Sequence, residues 1–180
     1  MKEILKRYRF ALLMAAAVAL LTAVRPATGV KAVEITLANF KEMLTFLPPI
    51  FILTGLLDVW VPKETLVKFM GHGSGWKGLL VAFVLGTAAA GPLYAAFPLA
   101  AVLMKKGARF AYVIFLLGVW SSTKLPLVLF ETASLGVKFT LIHVAVGLTG
   151  FLLTSYLVEK MVPGEEKEEI YQRAALWEKA

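Results

Sequence analysis

Polar residues fall in short clusters along the chain, and between them lie five long apolar stretches. The first, Phe10 to Val24, follows a basic start and with Tyr8 is just long enough for a short membrane span. Arg25 and Pro26 sit badly at a cleavage site, which favours a span over a signal peptide. The second, Met43 to Val61, contains Pro48-Pro49, which predict a kink near its outer end. A short amphipathic helix follows from Pro62 to Phe69, with Leu66, Phe69 and Met70 at helical spacing, and GHGSG at 71–75 ends it. The third stretch, Trp76 to Met104, is too long for one straight span and too short for two, and GTAAAGPLYAAFP lies in its middle. Gly86, Gly91, Pro92 and Pro98 break the helical ladder there, which lipid tolerates only where the loosened backbone is covered by protein or lines a wet cavity. The economical reading is a hairpin of two half-helices that enters and leaves on one side. The fourth stretch, Phe110 to Phe130, is interrupted by SSTKLP at 121–126, and the fifth runs from Lys138 to Val158. A charged tail from Glu159 carries Ile170, Ala174 and Trp177 on one helical face.

This pattern predicts an all-α integral membrane protein with four transmembrane helices plus a broken re-entrant helical hairpin; five straight spans are the alternative. Residues 1–158 form a single transmembrane domain and 159–180 a cytoplasmic tail helix. Composition agrees, since 59% of residues are apolar and 17% charged, against about 45–50% and about 25% in soluble domains. The absence of cysteine excludes disulfides, thiolate metal sites and cysteine nucleophiles.

The net charge of +7 raises the question of an acidic partner. The cations, however, lie at the ends of apolar stretches, and Glu165, Glu166, Glu168 and Glu169 would repel phosphate, so nucleic acid is excluded. The charge instead tests topology. A re-entrant third stretch puts 14 of the 19 Lys and Arg on one side, with Arg25, Lys31, Lys41 and Lys138 opposite and Lys124 inside the membrane. A crossing third stretch removes the bias. The positive-inside rule therefore favours the hairpin, with both termini cytoplasmic in a multi-pass protein of the cell membrane.

Two places carry candidate chemistry. Gly91-Pro92 resembles a helix start whose free N–H groups and dipole point into the membrane interior, an arrangement that attracts anions. Tyr94 and Pro98 lie beside it. Lys124 stands about 20 Å along the fourth stretch, deep enough to need protein, water or an anion around its ammonium. Ser121, Ser122 and Thr123 add hydroxyls, and Trp120 is a candidate path-lining residue. Glu131, seven residues on, is read as an ion-pair partner of Lys124, a proton carrier, or a residue at the outer interface. Asp58 is read as an interfacial ion-pair member near Lys63. His72 and His143 have no second ligand at metal spacing, so no metal or cofactor is expected. No nucleophile elbow, P-loop, zinc-protease motif or catalytic carboxylate pair is present, so an enzyme is not expected.

The run GPLYAAFPLAAVLMKKGA at 91–108, followed by FLLGVWSSTKLPLVLFE at 115–131, resembles predicted permeases of the YraQ type, which are related to the organoarsenical efflux permease ArsP. The resemblance covers roughly residues 45–155. Larger members carry a cysteine pair beside the hairpin prolines, where this chain has Leu93, Tyr94, Ala95 and Ala96; thiolate handling of trivalent arsenic is excluded here. Larger members also hold two such halves, and GPLYAAFP occurs once in this chain. The resemblance thus implies a half-length permease acting as a homodimer on a small, anionic or polarisable solute, with membrane lipid as its surroundings. The competing reading is a non-transporting scaffold that recruits a partner through its tail.

Overall fold

A computed structural model of the chain describes residues 8–88 and 91–176. Every regular element among them is helical. The chain divides into two compact units, Met1–Pro48 and Pro49–Ala180.

In the first unit, α1 (Arg9–Val24) is followed at once by α2 (Pro26–Trp60). Arg25 makes the turn, its carbonyl accepting from the N–H groups of Thr28 and Gly29 at 3.1 and 3.0 Å. Here the structure corrects the hydropathy reading. Residues 26–42 are helical rather than a loop, because VKAVEITLANFKEM contains good helix formers whose polarity says nothing against helical dihedrals. The helical run continues through Pro48-Pro49.

The second unit holds the end of α2, then α3 (Lys63–Met70), α4 (Trp76–Ala88), a 3₁₀ turn (Leu93–Ala95), α5 (Ala96–Lys105), α6 (Phe110–Ser122), α7 (Leu125–Leu135), α8 (Val137–Met161) and α9 (Gly164–Leu176). Helices α4 and α6 lie side by side and run in the same direction, since Gly78 meets Tyr112 and Gly86 meets Val119. A Cβ at Gly86 would lie 2.8 Å from Val119 Cγ1 and 3.0 Å from the Leu116 carbonyl, so a glycine is what lets these two backbones approach. Two parallel neighbours require the chain between them to return. The 105–109 turn accordingly sits beside residues 61–75: Lys106 Nζ donates to the Val61 carbonyl at 2.7 Å, Arg109 N–H to Met70 at 2.7 Å and Tyr112 O–H to Gly75 at 3.0 Å. The core of this unit is built from α5 and α6, with Leu99, Leu103, Tyr112, Leu116 and Val119 buried.

Among the described residues, two segments are long and apolar enough to cross a membrane, Phe110–Leu135 (α6 with α7) and Val137–Met161 (α8). α1, α4 and the 93–105 segment are shorter apolar helices. Large side chains such as Leu129, Phe130, Leu141, Ile142 and Val146 point outward. Lipid is the medium that gives such a surface no penalty.

Candidate functional site

The break in the third apolar stretch is real in the backbone. α4 ends at Ala88, and Gly91 adopts φ +97°, a conformation natural to glycine and strained for any other residue. Pro92, extended at ψ 160°, precedes the 3₁₀ turn and accepts from Ala95 N–H at 3.1 Å. The second break lies across from it. α6 closes with Thr123 N–H on the Val119 carbonyl at 2.7 Å, Lys124 is extended at ψ 143°, and α7 restarts with Pro126 in its first turn, where the missing N–H costs no helical bond.

These two breaks meet. Lys124 Nζ donates to the Gly91 carbonyl at 2.8 Å, so a cation from the fourth apolar stretch holds the tip of the third. The other residues named from sequence are placed unevenly. Pro98 is buried in the first turn of α5, and Tyr94 stands partly exposed in the 3₁₀ turn. Thr123 is buried. Ser121 is exposed and its hydroxyl turns back to the Gly118 carbonyl at 2.7 Å, so it does not join the Lys124 pair.

Two further polar groups stand near this level. Thr87 Oγ1 and Trp120 Nε1 are buried, and neither has a hydrogen-bond partner among the described residues. The Gly86–Val119 contact brings their chain neighbours together. An indole N–H can only donate, and a buried donor left unmade costs about 1–3 kcal/mol. Hydropathy passes over Thr87 as one polar residue in an apolar run; only the packing reveals that it lacks a partner.

Of the three readings given for Glu131, the ion pair with Lys124 is the one the structure does not show. Glu131 Oε2 lies 2.8 Å from His143 Nδ1 rather than on Lys124, whose ammonium is directed to Gly91. One residue on, the hydroxyls of Thr132 and Thr140 are 3.4 Å apart, so α7 and α8 share a polar seam. Among the described residues no three His, Asp or Glu side chains converge as for a metal ion. The side chain of Asp58 and the whole of Trp177 lie outside what the structure describes.

A further polar cluster was not legible in sequence. Arg109 makes three contacts of 3.0, 3.0 and 2.6 Å to the Glu159 carboxylate, which also accepts from Ala111 N–H at 3.2 Å. The guanidinium lies over the rings of Tyr112 and Tyr156, 5.4 and 4.8 Å from their centroids. Its bonds to Glu159 hold Arg109 above the ordinary arginine pKa. The tail helix is fastened beside this cluster. Tyr171 O–H donates to the Ala108 carbonyl at 2.7 Å, and burial pushes the phenol up to about 12. Ile170 and Ala174 face an apolar groove of about 660 Å³ along Ala100, Ala101, Met104 and Val113.

A family model described as a predicted permease, ArsP_1, matches residues 30–179. No curated protein and no solved structure matches the chain.

Proposed function

Since the chain belongs to the ArsP_1 family of predicted permeases, we propose that this membrane protein carries a small anionic or polarisable solute past the meeting point of its two chain breaks. The observation that carries this reading is the 2.8 Å contact between Lys124 Nζ and the Gly91 carbonyl. An intramembrane ammonium marks a functional place by default, and interrupted helices point to a transporter site. Lys124, Thr87 and Trp120 all offer protons, so their natural partner is an acceptor-rich solute. Gly91, Pro92, Tyr94 and Pro98 form the tip, and Ser122 and Thr123 its opposite wall; Ser121 stands at the margin.

In this proposal Trp76 to Met104 re-enters the membrane, both termini face the cytoplasm, and the chain is a half-length member of the YraQ type. With one tip per chain, two copies pair so that two tips and two SSTKLP segments enclose the path. Membership in a permease family points to transport rather than catalysis. The scaffold alternative, with the tail recruiting a partner, fits less well because Ile170 and Ala174 already face the protein's own groove.

Reconstitution of the full chain into liposomes tests this. Uptake of radiolabelled sulfate, phosphate and selenite is measured for wild type and Lys124→Gln. Uptake of at least one anion, reduced about tenfold or more in the variant, is expected. Equal uptake by both proteins removes Lys124 from the site, and no uptake of any solute favours the scaffold.

A further inference from the structure

The polar seam between α7 and α8 is left unused by the solute site. It begins at the Gly136 turn and runs past the Thr132–Thr140 hydroxyls to the Glu131–His143 pair. Lys124 stands just before α7, seven residues ahead of Glu131 and about 10 Å away by helical rise, with its ammonium on the Gly91 carbonyl. The carboxylate side chain is 12% exposed and the imidazole 33%, between helices whose exposed large side chains include Leu129, Phe130, Leu141, Ile142 and Val146.

We propose that Glu131 and His143 form the proton-binding site of this permease, loading and releasing one proton as the solute moves; the coupling rests on the transport reading above. With Nδ1–H donating to the carboxylate, Nε2 keeps a lone pair. A proton taken from water forms one N–H bond there, no bond breaks, and the pair goes from a net charge of −1 to zero. The charged groups around it are few. α7 contributes Lys124 at its start; α8 contributes Lys138 near its own start, and Glu159 and Lys160 far along it; α6, also packed on α8, has no ionisable side chain between Tyr112 and Ser122. An anion arriving at Lys124 adds negative potential to the seam and favours the loaded form, and linkage makes the loaded form favour the anion. A merely structural pair would hold α7 to α8 without changing charge.

The test uses the full chain with ¹⁵N-labelled histidine in lipid nanodiscs, in a His72→Gln background so that the imidazole signals report His143 alone. The same protein is reconstituted in liposomes holding a pH-sensitive dye. Sulfate is the probe anion because it does not itself titrate near neutral pH. The imidazole is expected to change protonation form in one step as the pH is scanned, and Glu131→Gln to displace that step. In liposomes whose membrane potential is clamped at zero with potassium and valinomycin, since sulfate with one proton moves a net −1 charge, an inward proton gradient drives sulfate accumulation by about tenfold per pH unit for one proton carried, with matching acidification of the lumen. Glu131→Asp keeps this dependence, and Glu131→Gln and His143→Gln lose it while retaining wild-type elution in detergent. An imidazole that holds one form across the range, or a step that Glu131→Gln leaves in place, overturns the proton site. Sulfate uptake indifferent to the gradient in wild type overturns the coupling and leaves the permease reading standing. Absence of sulfate uptake in every version counts against the anion path, and the titration then decides the proton site alone.

Discussion

Two ion pairs in this protein have the same 2.6 Å N···O separation, Arg109–Glu159 and Arg173–Glu169. Removing one carboxylate charge from each, by Glu159→Gln and Glu169→Gln, should have very different consequences. The first pair is 22% and 11% exposed, the second 76% and 59%. Losing a fully buried partner costs about 3–5 kcal/mol. Arg109 keeps some access to water and retains its two aromatic faces, so about 2–3 kcal/mol is the appropriate figure, close to one charge-assisted hydrogen bond. The exposed pair sits four residues apart on α9, where such pairs contribute about 0.3–0.5 kcal/mol. At about 2–4 °C per kcal/mol for a chain of this size, Glu159→Gln should lower the thermal midpoint by roughly 5–10 °C and Glu169→Gln by about 1 °C. Intrinsic tryptophan emission follows the unfolding, and the chain has 4 tryptophans. Equal shifts in the two variants would refute the argument that burial, not distance, sets the worth of these pairs.

Other consequences are as readily checked. Gly86→Ala puts a methyl group against Val119 and the Leu116 carbonyl and should cost about 1–3 kcal/mol of stability by overpacking, measured by the same unfolding. The tail helix should loosen in strong alkali: the Tyr171 phenol is raised from 10.0 to about 12, so its contribution is full below about pH 10 and is lost as pH climbs through about 12. A spin label at Gln172→Cys, unambiguous in a chain without cysteine, should become mobile only in that window. Thiol labelling of Lys105→Cys and Lys138→Cys in intact cells should find the first on the cytoplasmic side and the second outside; Lys105 outside would abolish the hairpin. Native mass measurement in detergent should give twice 19.7 kDa.

Both chain breaks were readable in advance because glycine and proline act through the local backbone, and Gly91-Pro92 and SSTKLP need no tertiary context to interrupt a helix. Lys124 stood out because one charge in an apolar run must be answered by something. Its answer, the Gly91 carbonyl, is set by how the two breaks pack and is not written in either segment alone. Partner choice was not readable. Arg109 and Glu159 are fifty positions apart, and Glu131 took His143 rather than Lys124 because the Gly136 turn sets which faces of α7 and α8 meet. The long helix α2 was missed because hydropathy measures the preferred solvent of a residue, whereas Lys31, Glu34, Lys41 and Glu42 are good helix formers in either solvent.

If the proposed transport reading holds, the bond from Lys124 to Gly91 makes selectivity a matter of exchange. A solute arriving at the ammonium meets a donor already engaged by the protein's own carbonyl, so a weak acceptor gains little by displacing it and leaves the tip fastened. A strong acceptor takes the carbonyl's place in that bond and unfastens the backbone in the same event. Discrimination and opening would then share one hydrogen bond, and a poor solute would be refused by failing to unlock the passage rather than by failing to fit it.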